Sequence, residues 1–190
     1  MQPNIIKNFI TKDLCDFINS YLNNNTGEHP VDLNHPKGKR HLMVINNCEV
    51  VFFDHPPLKM PEMQKTVFSI LDLIQKSTSA LFDLPKEEIR VKGLDYTVQE
   101  TGQSLTMHSD SGVSKNNVYS AILYLTDDYT GGDIVFYDTH LQPDPIPTHY
   151  HLEAGTLVYF PGTIDYPHEV LAVESGSRAA LIMFFESVNP

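Results

Sequence analysis

Residues 91–137 read VKGLDYTVQETGQSLTMHSDSGVSKNNVYSAILYLTDDYTGGDIVFY, and in this stretch short β-branched and aromatic runs alternate with turn-forming residues. Such punctuation by Gly, Asp, Asn and Ser is typical of short strands joined by tight turns. The pattern continues to residue 186. Strands are predicted at 91–99, 104–108, 118–125, 133–137, 156–160, 169–173 and 178–186. Many short strands at this spacing favour a β-sandwich or barrel.

The first third of the chain has a mixed pattern. Thr11 is placed to cap a helix over 11–23, where apolar residues follow helical spacing. A strand is predicted at 43–53 and an amphipathic helix at 61–82. The expected fold is therefore α+β and mostly β, with helices packed against one face of a jelly roll.

The length of 190 residues fits a single domain, 1–190. Within it, 1–90 is expected to supply helical support and loops, and 91–186 the jelly-roll core. A net charge of −11 argues against nucleic acid as a partner. No apolar run reaches the roughly 20 residues that span a bilayer, and charged residues interrupt the N-terminus, so neither a membrane segment nor a signal peptide is expected. Cys15 and Cys48 form no motif, which favours reduced thiols and a cytoplasmic location.

One group of residues predicts a metal site. His108 and Asp110 stand two apart at the expected end of the strand 104–108, and His168 lies far downstream. Side chains at i and i+2 of a strand point to the same face, about 6–7 Å apart. Two histidines and a carboxylate hold non-heme Fe(II) and leave positions open for substrate and O2. Spacing alone still leaves several metals open.

Arg178 adds an anion site to this prediction. It follows the turn 174–177 and begins the last strand, so the runs 169–173 and 178–186 are expected to form an antiparallel hairpin. The hairpin would bring Arg178 close to His168. An arginine at the mouth of an otherwise apolar barrel requires an anionic partner, and its guanidinium binds a carboxylate through two parallel hydrogen bonds. Taken without the histidines and Asp110, Arg178 would more simply be a surface arginine paired with Asp or Glu.

The order of these motifs closely resembles that of the Fe(II)/2-oxoglutarate-dependent dioxygenases, and within them most resembles the prolyl 4-hydroxylase group. The resemblance covers residues 91–186, and the opening segment 8–11 is also similar. The motifs that carry it are Tyr96, His108-x-Asp110, Tyr124-Leu125-Thr126, Gly131-Gly132-Asp133, Phe160-Pro161-Gly162, His168-Glu169-Val170 and Gly176-x-Arg178.

The resemblance implies a double-stranded β-helix and a role for each matched residue. His108, Asp110 and His168 would bind Fe(II), and Arg178 would pair with the far carboxylate of 2-oxoglutarate. Tyr124 would donate a hydrogen bond to the same carboxylate. O2 would be the oxidant, with ascorbate as a candidate reductant. Because Asp110 is present, hydroxylation is expected rather than the halogenation that related enzymes with a vacant position perform.

Tyr96 matches a tyrosine near the cosubstrate in some members of the family. For both Tyr96 and Tyr124, the alternative is ordinary core packing with a bonded hydroxyl.

The substrate is the least constrained part of the prediction. Peptidyl proline follows from the resemblance, and a free amino acid or another small molecule remains open. The chain departs from many prolyl 4-hydroxylases by carrying Arg178 in place of lysine and by having no tryptophan. The segments 23–40 and 138–151 are predicted to be loops, the second at the rim of the site; both are candidates for substrate contacts.

Two other classes of protein remain as alternatives. A cupin-type metal protein without 2-oxoglutarate could use His149 and His151 as a second imidazole pair, but this reading leaves Arg178 without a role. A noncatalytic binding domain of the same fold is the other alternative. The complete set of predicted metal ligands argues against it.

Overall fold

The computed structural model describes residues 2–25, 39–46, 49–52, 69–70, 73, 76–77, 88–112, 117–138 and 145–187. The helix α1 spans Lys12–Asn25, and a 3₁₀ turn spans Asp110–Gly112. The strands in chain order are β1 Asn4–Ile6, β2 Lys39–Asn46, β3 Glu49–Phe52, β4 Ile89–Glu100, β5 Leu105–His108, β6 Asn117–Tyr124, β7 Thr130–Gly131, β8 Ile134–Asp138, β9 Ile146–Tyr150, β10 Leu157–Pro161, β11 His168–Val170, β12 Val173–Ser175 and β13 Ser177–Ser187.

The strands form two facing sheets and a short ribbon, and all of their pairings are antiparallel. The large sheet has the order β1-β10-β6-β13-β4-β2-β3, and the small sheet has the order β5-β11-β8-β9. β12 pairs with β7 in the ribbon. This mostly-β architecture is the double-stranded β-helix, or jelly roll, that the sequence predicted.

Two hydrophobic clusters cover the two faces of the large sheet. Successive side chains of β6 point to opposite faces of the sheet and therefore belong to different clusters. Leu123 belongs to the cluster that includes Cys15 and Ile18 of α1. Ile122 and Tyr124 belong to the cluster between the two sheets. Because both faces are covered, every residue of β6 from position 119 onward is buried.

The predicted cap of α1 is confirmed. The backbone N–H of Leu14 donates to Thr11 Oγ1 (3.4 Å), and the first intrahelical bond runs from Cys15 N–H to Thr11 O (3.1 Å). The face of α1 that packs against the sheet is narrower than the helical spacing of its apolar residues predicted, because Phe17 is 46% exposed. No helix in the described part of the chain is long and apolar enough to cross a membrane.

The predicted hairpin of 169–173 with 178–186 is wrong. β11 lies in the small sheet, and β13 lies in the large sheet between β4 and β6. Between them, the chain makes the short strand β12 and then turns at Gly176, where φ is +77°. A Cβ at Gly176 would collide with the carbonyl oxygen of Asp128, so only glycine fits this turn.

Two other sequence predictions require correction. The single strand predicted at 43–53 is divided between β2 and β3, which pair with each other. The segment 138–151, predicted to be a rim loop, contains β9, which pairs with β8 at the edge of the small sheet. Pro147 is compatible with β9 because an edge strand can lack one N–H donor.

Some predictions fall partly or wholly outside the described residues. Of the predicted helix 61–82, positions 69, 70, 73, 76 and 77 are described, and all of them are helical. The predicted loop 23–40 is described at its two ends, where α1 extends to Asn25 and β2 begins at Lys39. Cys48 lies outside the described residues, and Cys15 is a buried free thiol.

Candidate active site

Three side chains converge at one end of the small sheet. His108 ends β5 and His168 begins β11, and the two residues are paired across these strands. Asp110 opens the 3₁₀ turn that follows β5. The structure therefore brings together the three residues predicted from the sequence to bind metal.

The distances within this triad suit a single ion. Asp110 Oδ1 lies 3.6 Å from His108 Nε2 and 4.0 Å from His168 Nε2. All three candidate ligand atoms lie within 4.8 Å of one another. No other group of three or more His, Cys, Asp or Glu residues in the described chain converges in this way. Two imidazole nitrogens and a carboxylate are a donor set that fits Fe(II).

Backbone carbonyls fix both imidazole rings. His108 Nδ1 lies 2.9 Å from Thr106 O, and His168 Nδ1 lies 3.0 Å from Tyr166 O. Because a carbonyl oxygen only accepts, each Nδ1 must carry the proton and donate it. In a neutral ring with the proton on Nδ1, Nε2 carries the lone pair, and this is the form that binds metal. In both histidines, Nε2 is the ring nitrogen near Asp110.

A β-bulge turns His108 toward the site. β11 pairs His168 with His108 but Val170 with Leu105, so β5 has one extra residue in this interval. Leu105 and His108 can therefore both face the layer between the sheets although they are three residues apart. Leu105 packs against the inter-sheet cluster, whereas Met107 is 58% exposed.

The predicted placement of Asp110 was wrong in detail. It does not extend strand β5, so the alternation of side chains in a strand does not explain why it lies near His108. Instead, the 3₁₀ turn brings its carboxylate back toward the end of β5. Asp110 is buried, as is His168.

His168 lies in an apolar setting that favours its neutral form. Its ring centroid is 5.3 Å from that of Phe136 and 4.8 Å from that of Phe160. Burial lowers the pKa of His168, while the nearby Asp110 carboxylate acts in the opposite direction. A neutral imidazole is the state that ligates a metal ion.

A second polar group lies on the large sheet around Arg178, which is 2% exposed. Arg178 Nη1 donates to Gln99 Oε1 (2.6 Å), and Nη2 donates to Tyr124 Oη (2.7 Å). Its Nε has no hydrogen-bond partner, and no carboxylate among the described residues pairs with the guanidinium. A buried cation without a counter-ion is costly, so an anion bound beside Arg178 would stabilise this group.

The triad and the Arg178 group border the same layer of the molecule. Tyr124, Phe136 and Phe160 belong to the cluster between the sheets, and the His168 ring packs on the last two. Gly132 makes room for the arginine on this side, because a Cβ there would lie 3.3 Å from Arg178 Cδ. An elongated ligand between the sheets could therefore be held by a metal ion at one end and by Arg178 at the other.

Tyr96 does not join this group, and the structure corrects the prediction that it lies near the cosubstrate. Its hydroxyl lies 2.7 Å from Asn19 Oδ1 and 2.9 Å from Asn23 Oδ1, both on α1. Tyr96 belongs to the cluster on the helix side of the large sheet. Burial raises its pKa to a value above the ordinary range of a tyrosine.

Gln99 was missed by the sequence predictions. It lies opposite Arg178 in the pairing of β4 with β13 and is buried. A signal was present, because Gln99 is three residues from Tyr96 and thus faces the opposite side of the strand. A polar residue on the inner face of a predicted core strand is a candidate for ligand positioning.

The imidazole pair of the cupin alternative does not lie in the triad. His149 is exposed on β9. His151 Nδ1 lies 2.9 Å from Asp133 Oδ1, and its ring centroid is 4.8 Å from that of Tyr129. These contacts account for His151 by local packing at the start of the loop after β9.

Residues 92–186, half of the chain, match the sequence profile of the 2OG-Fe(II) oxygenase superfamily. The chain therefore belongs to the 2OG-Fe(II) oxygenase superfamily. This confirms the family predicted from the order of the motifs. Membership implies Fe(II), 2-oxoglutarate and O2, and the triad supplies a fitting donor set.

Prolyl hydroxylases are among the similar proteins. The chain is 39% identical to prolyl 3-hydroxylase 1 of Homo sapiens over 67 residues, which are 35% of this chain and 9% of the human protein. The match thus spans a small part of the relative's length. In fold, the chain resembles a Pseudomonas putida prolyl-4-hydroxylase (TM-score 0.69, 17% identity, 97% of this chain and 92% of that chain). It also resembles SnoN, a non-heme alpha ketoglutarate dependent epimerase from nogalamycin biosynthesis (TM-score 0.69, 12% identity, 97% and 77%).

Proposed function

We propose that this chain hydroxylates peptidyl proline, with His108, Asp110 and His168 holding Fe(II) and Arg178 holding 2-oxoglutarate. The observation that carries the proposal is the pairing of two sites across the inter-sheet layer. A His-Asp-His triad with both Nε2 atoms directed inward lies on one side. A buried arginine without a carboxylate partner among the described residues lies on the other.

Each side chain has a distinct task in this proposal. His108 and His168 offer their Nε2 atoms as ligands, and the Asp110 carboxylate offsets part of the positive charge of the metal. Arg178 neutralises the far carboxylate of 2-oxoglutarate, and the Tyr124 hydroxyl donates to it once a carboxylate is present. Phe136 and Phe160 exclude water around His168. The chemistry that bound Fe(II) and 2-oxoglutarate supply is oxidation of a substrate C–H bond by O2 with release of CO2.

Gln99 fixes the guanidinium in this scheme. With its Nη1 bonded to Gln99 and its Nη2 bonded to Tyr124, Arg178 cannot rotate away from the inter-sheet layer without losing both bonds. This restraint reduces the conformational entropy lost when an anion binds.

Peptidyl proline is supported by the names of the relatives, which are prolyl hydroxylases. The matched stretch includes 35% of the residues of this chain. A free amino acid or another small molecule is the alternative that the substrate assay must separate.

The cosubstrate assignment is tested by the visible charge-transfer band that Fe(II) and 2-oxoglutarate produce together under anaerobic conditions. We expect the band in the wild-type protein and its loss in His168→Ala. In Arg178→Ala, a much higher 2-oxoglutarate concentration should be needed to produce the band. Lys12→Ala is the matched control, because it removes a surface cation bonded to Asp127. A wild-type protein without the band would contradict the iron and 2-oxoglutarate assignment, and an unchanged Arg178→Ala titration would contradict the role of the arginine.

The substrate assignment is tested by incubating the enzyme with Fe(II), 2-oxoglutarate, ascorbate and pairs of peptides that differ by Pro or Ala at one position. Mass spectrometry should detect the gain of one oxygen only in the proline peptide. The position of the hydroxyl, at C3 or C4, is read by amino-acid analysis. If succinate forms when a free amino acid is added but not when any of the peptides is added, the small-molecule alternative is supported instead.

A further inference from the structure

Asn117 reaches the turn that carries Asp110, although no role proposed above includes it. Asn117 begins β6, and its Nδ2 donates to the backbone carbonyl of Asp110 (3.2 Å) and to Ser120 Oγ (3.4 Å). The acceptor is thus the backbone of the candidate metal ligand itself. Both contacts leave from the same amide nitrogen, so the side chain links the 3₁₀ turn to the large sheet.

The hydrogen-bond partners of the Asn117 side chain determine the positions of its amide nitrogen and oxygen. A carbonyl oxygen only accepts, so the nitrogen of the amide, and not Oδ1, must face Asp110 O. Oδ1 is buried and receives no hydrogen bond from the described residues. A buried acceptor without a partner is costly, so the bond that Nδ2 donates to Asp110 O is kept at the expense of Oδ1.

Gly162 provides the space that the Asn117 amide occupies. A Cβ at position 162 would collide with Asn117 Nδ2 and would lie 2.6 Å from its Cγ. The backbone of Gly162 is not in the left-handed region, so this glycine is required for space and not for its conformation. Its N–H donates to Val118 O (3.1 Å), which keeps the loop against the start of β6.

We infer that Asn117 is a positioning residue for the metal ligand Asp110, and that Gly162 is the glycine that admits it. By fixing the Asp110 carbonyl, Asn117 fixes the direction of the Asp110 side chain relative to His108 and His168. The inference rests on the proposed iron site. Groups that orient metal ligands typically contribute 10–100-fold in metal affinity, so loss of the Asn117 amide should weaken metal binding by about 10-fold or more.

The test measures Mn(II) affinity by calorimetry, with Mn(II) as a redox-inert substitute for Fe(II). Asn117→Asp keeps the shape of the side chain but places an oxygen against Asp110 O. Its added negative charge would by itself strengthen cation binding, so a loss of about 10-fold identifies positioning rather than charge. Asn117→Ala should show a similar loss, and Asn117→Ser serves if the alanine variant does not fold.

Gly162→Ala supplies an independent arm of the test. Its new methyl group should displace the Asn117 amide and weaken Mn(II) binding to a similar extent. In the double variant Asn117→Ala/Gly162→Ala, the methyl group meets no amide, so binding should be no weaker than in Asn117→Ala alone. Additive losses would overturn the link between the two residues.

The outcomes separate this inference from the proposed function. Absence of Mn(II) binding in the wild type, or unchanged binding in His168→Ala, would overturn the metal site itself. If the wild type binds Mn(II) and the affinities of Asn117→Asp and Asn117→Ala are within about twofold of the wild-type affinity, the positioning role is overturned and the metal site is retained. Urea unfolding of the metal-free variants detects a loss that comes from stability alone, because a purely structural role moves the unfolding midpoint and not the Mn(II) affinity of the folded protein.

Discussion

Tyr124 and Tyr96 lie in the strands on either side of β13 but face opposite sides of the large sheet. Tyr124 is opposite Ala180 of β13, whereas Tyr96 is opposite Leu181. This difference of one position directs the Tyr124 hydroxyl to Arg178 and the Tyr96 hydroxyl to α1. At the scale of single residues, the face of the sheet to which a tyrosine points therefore determines whether it belongs to the candidate site or packs against α1.

The two tyrosines give a matched pair of substitutions. Tyr124→Phe removes the hydroxyl bonded to Arg178, and a hydrogen bond to a charged group contributes about 1.5–3 kcal/mol, so the 2-oxoglutarate dissociation constant should rise at least 10-fold. Tyr96→Phe removes the same atom on the helix side, and it should lower the free energy of unfolding by about 1 kcal/mol and leave 2-oxoglutarate affinity unchanged. The charge-transfer titration and urea unfolding check both. Equal effects of the two substitutions on affinity would contradict the assignment.

Cys15 should be chemically inert although it is a free thiol. Burial raises the pKa of Cys15 to about 11 from an ordinary value of 9.0. The thiol is therefore neutral near pH 8, and its stabilising contribution is present below pH 9 and is lost as the pH rises through about 11. In a Cys48→Ser variant, where Cys15 is the single cysteine, alkylation by iodoacetamide at pH 8 should be at least about 100-fold slower in the folded protein than in urea. Comparable rates in the two conditions would show that the thiol is accessible.

At the scale of elements, two backbone irregularities place the site. The bulge in β5 turns His108 inward, and the turn at Gly176 sends the chain from the ribbon into the large sheet. The second irregularity brings Arg178 opposite Gln99 instead of into a hairpin with β11.

Two glycines with positive φ test the element that carries Arg178. Gly176→Ala places a Cβ against Asp128 O and 2.9 Å from Tyr129 Cα, whereas Gly102→Ala places it in open space. Both substitutions pay about 1–2 kcal/mol for the left-handed backbone. Gly176→Ala should lower the free energy of unfolding by a further 1–3 kcal/mol or so because of the collision. Urea unfolding of the two variants should show this difference, and equal losses would mean that the turn relaxes freely.

The sequence predicted which residues form the site better than it predicted the strands and turns that bring them together. His108, Asp110, His168, Tyr124 and Arg178 were identified from residue types and their order along the chain. Their geometry was derived from ideal strands, which contain neither a bulge nor a 3₁₀ turn, so the reasons given for their proximity were wrong even where the residues do meet. Which sheet a short strand joins depends on contacts between residues that are distant in sequence, and a single sequence does not reveal these contacts.

At the scale of the whole molecule, the two halves of the site belong to different sheets. The triad lies on the small sheet and its following turn, and the Arg178 group lies on the large sheet. A 2-oxoglutarate molecule held by the metal and by Arg178 would therefore connect the two sheets. Because a ligand that binds only the folded state stabilises it, this connection should be visible in thermal unfolding.

We expect 2-oxoglutarate to raise the melting temperature by about 5–10 °C at 100-fold excess over its dissociation constant, and only when Mn(II) is present. Pyruvate, a keto acid that lacks the far carboxylate, should give a much smaller shift because it cannot reach the arginine. In Arg178→Ala, the shift caused by Mn(II) alone should persist while the additional shift from 2-oxoglutarate is lost. If Arg178→Ala kept that additional shift, or if pyruvate reproduced it, the cosubstrate would be held by the small sheet alone and would not connect the two sheets.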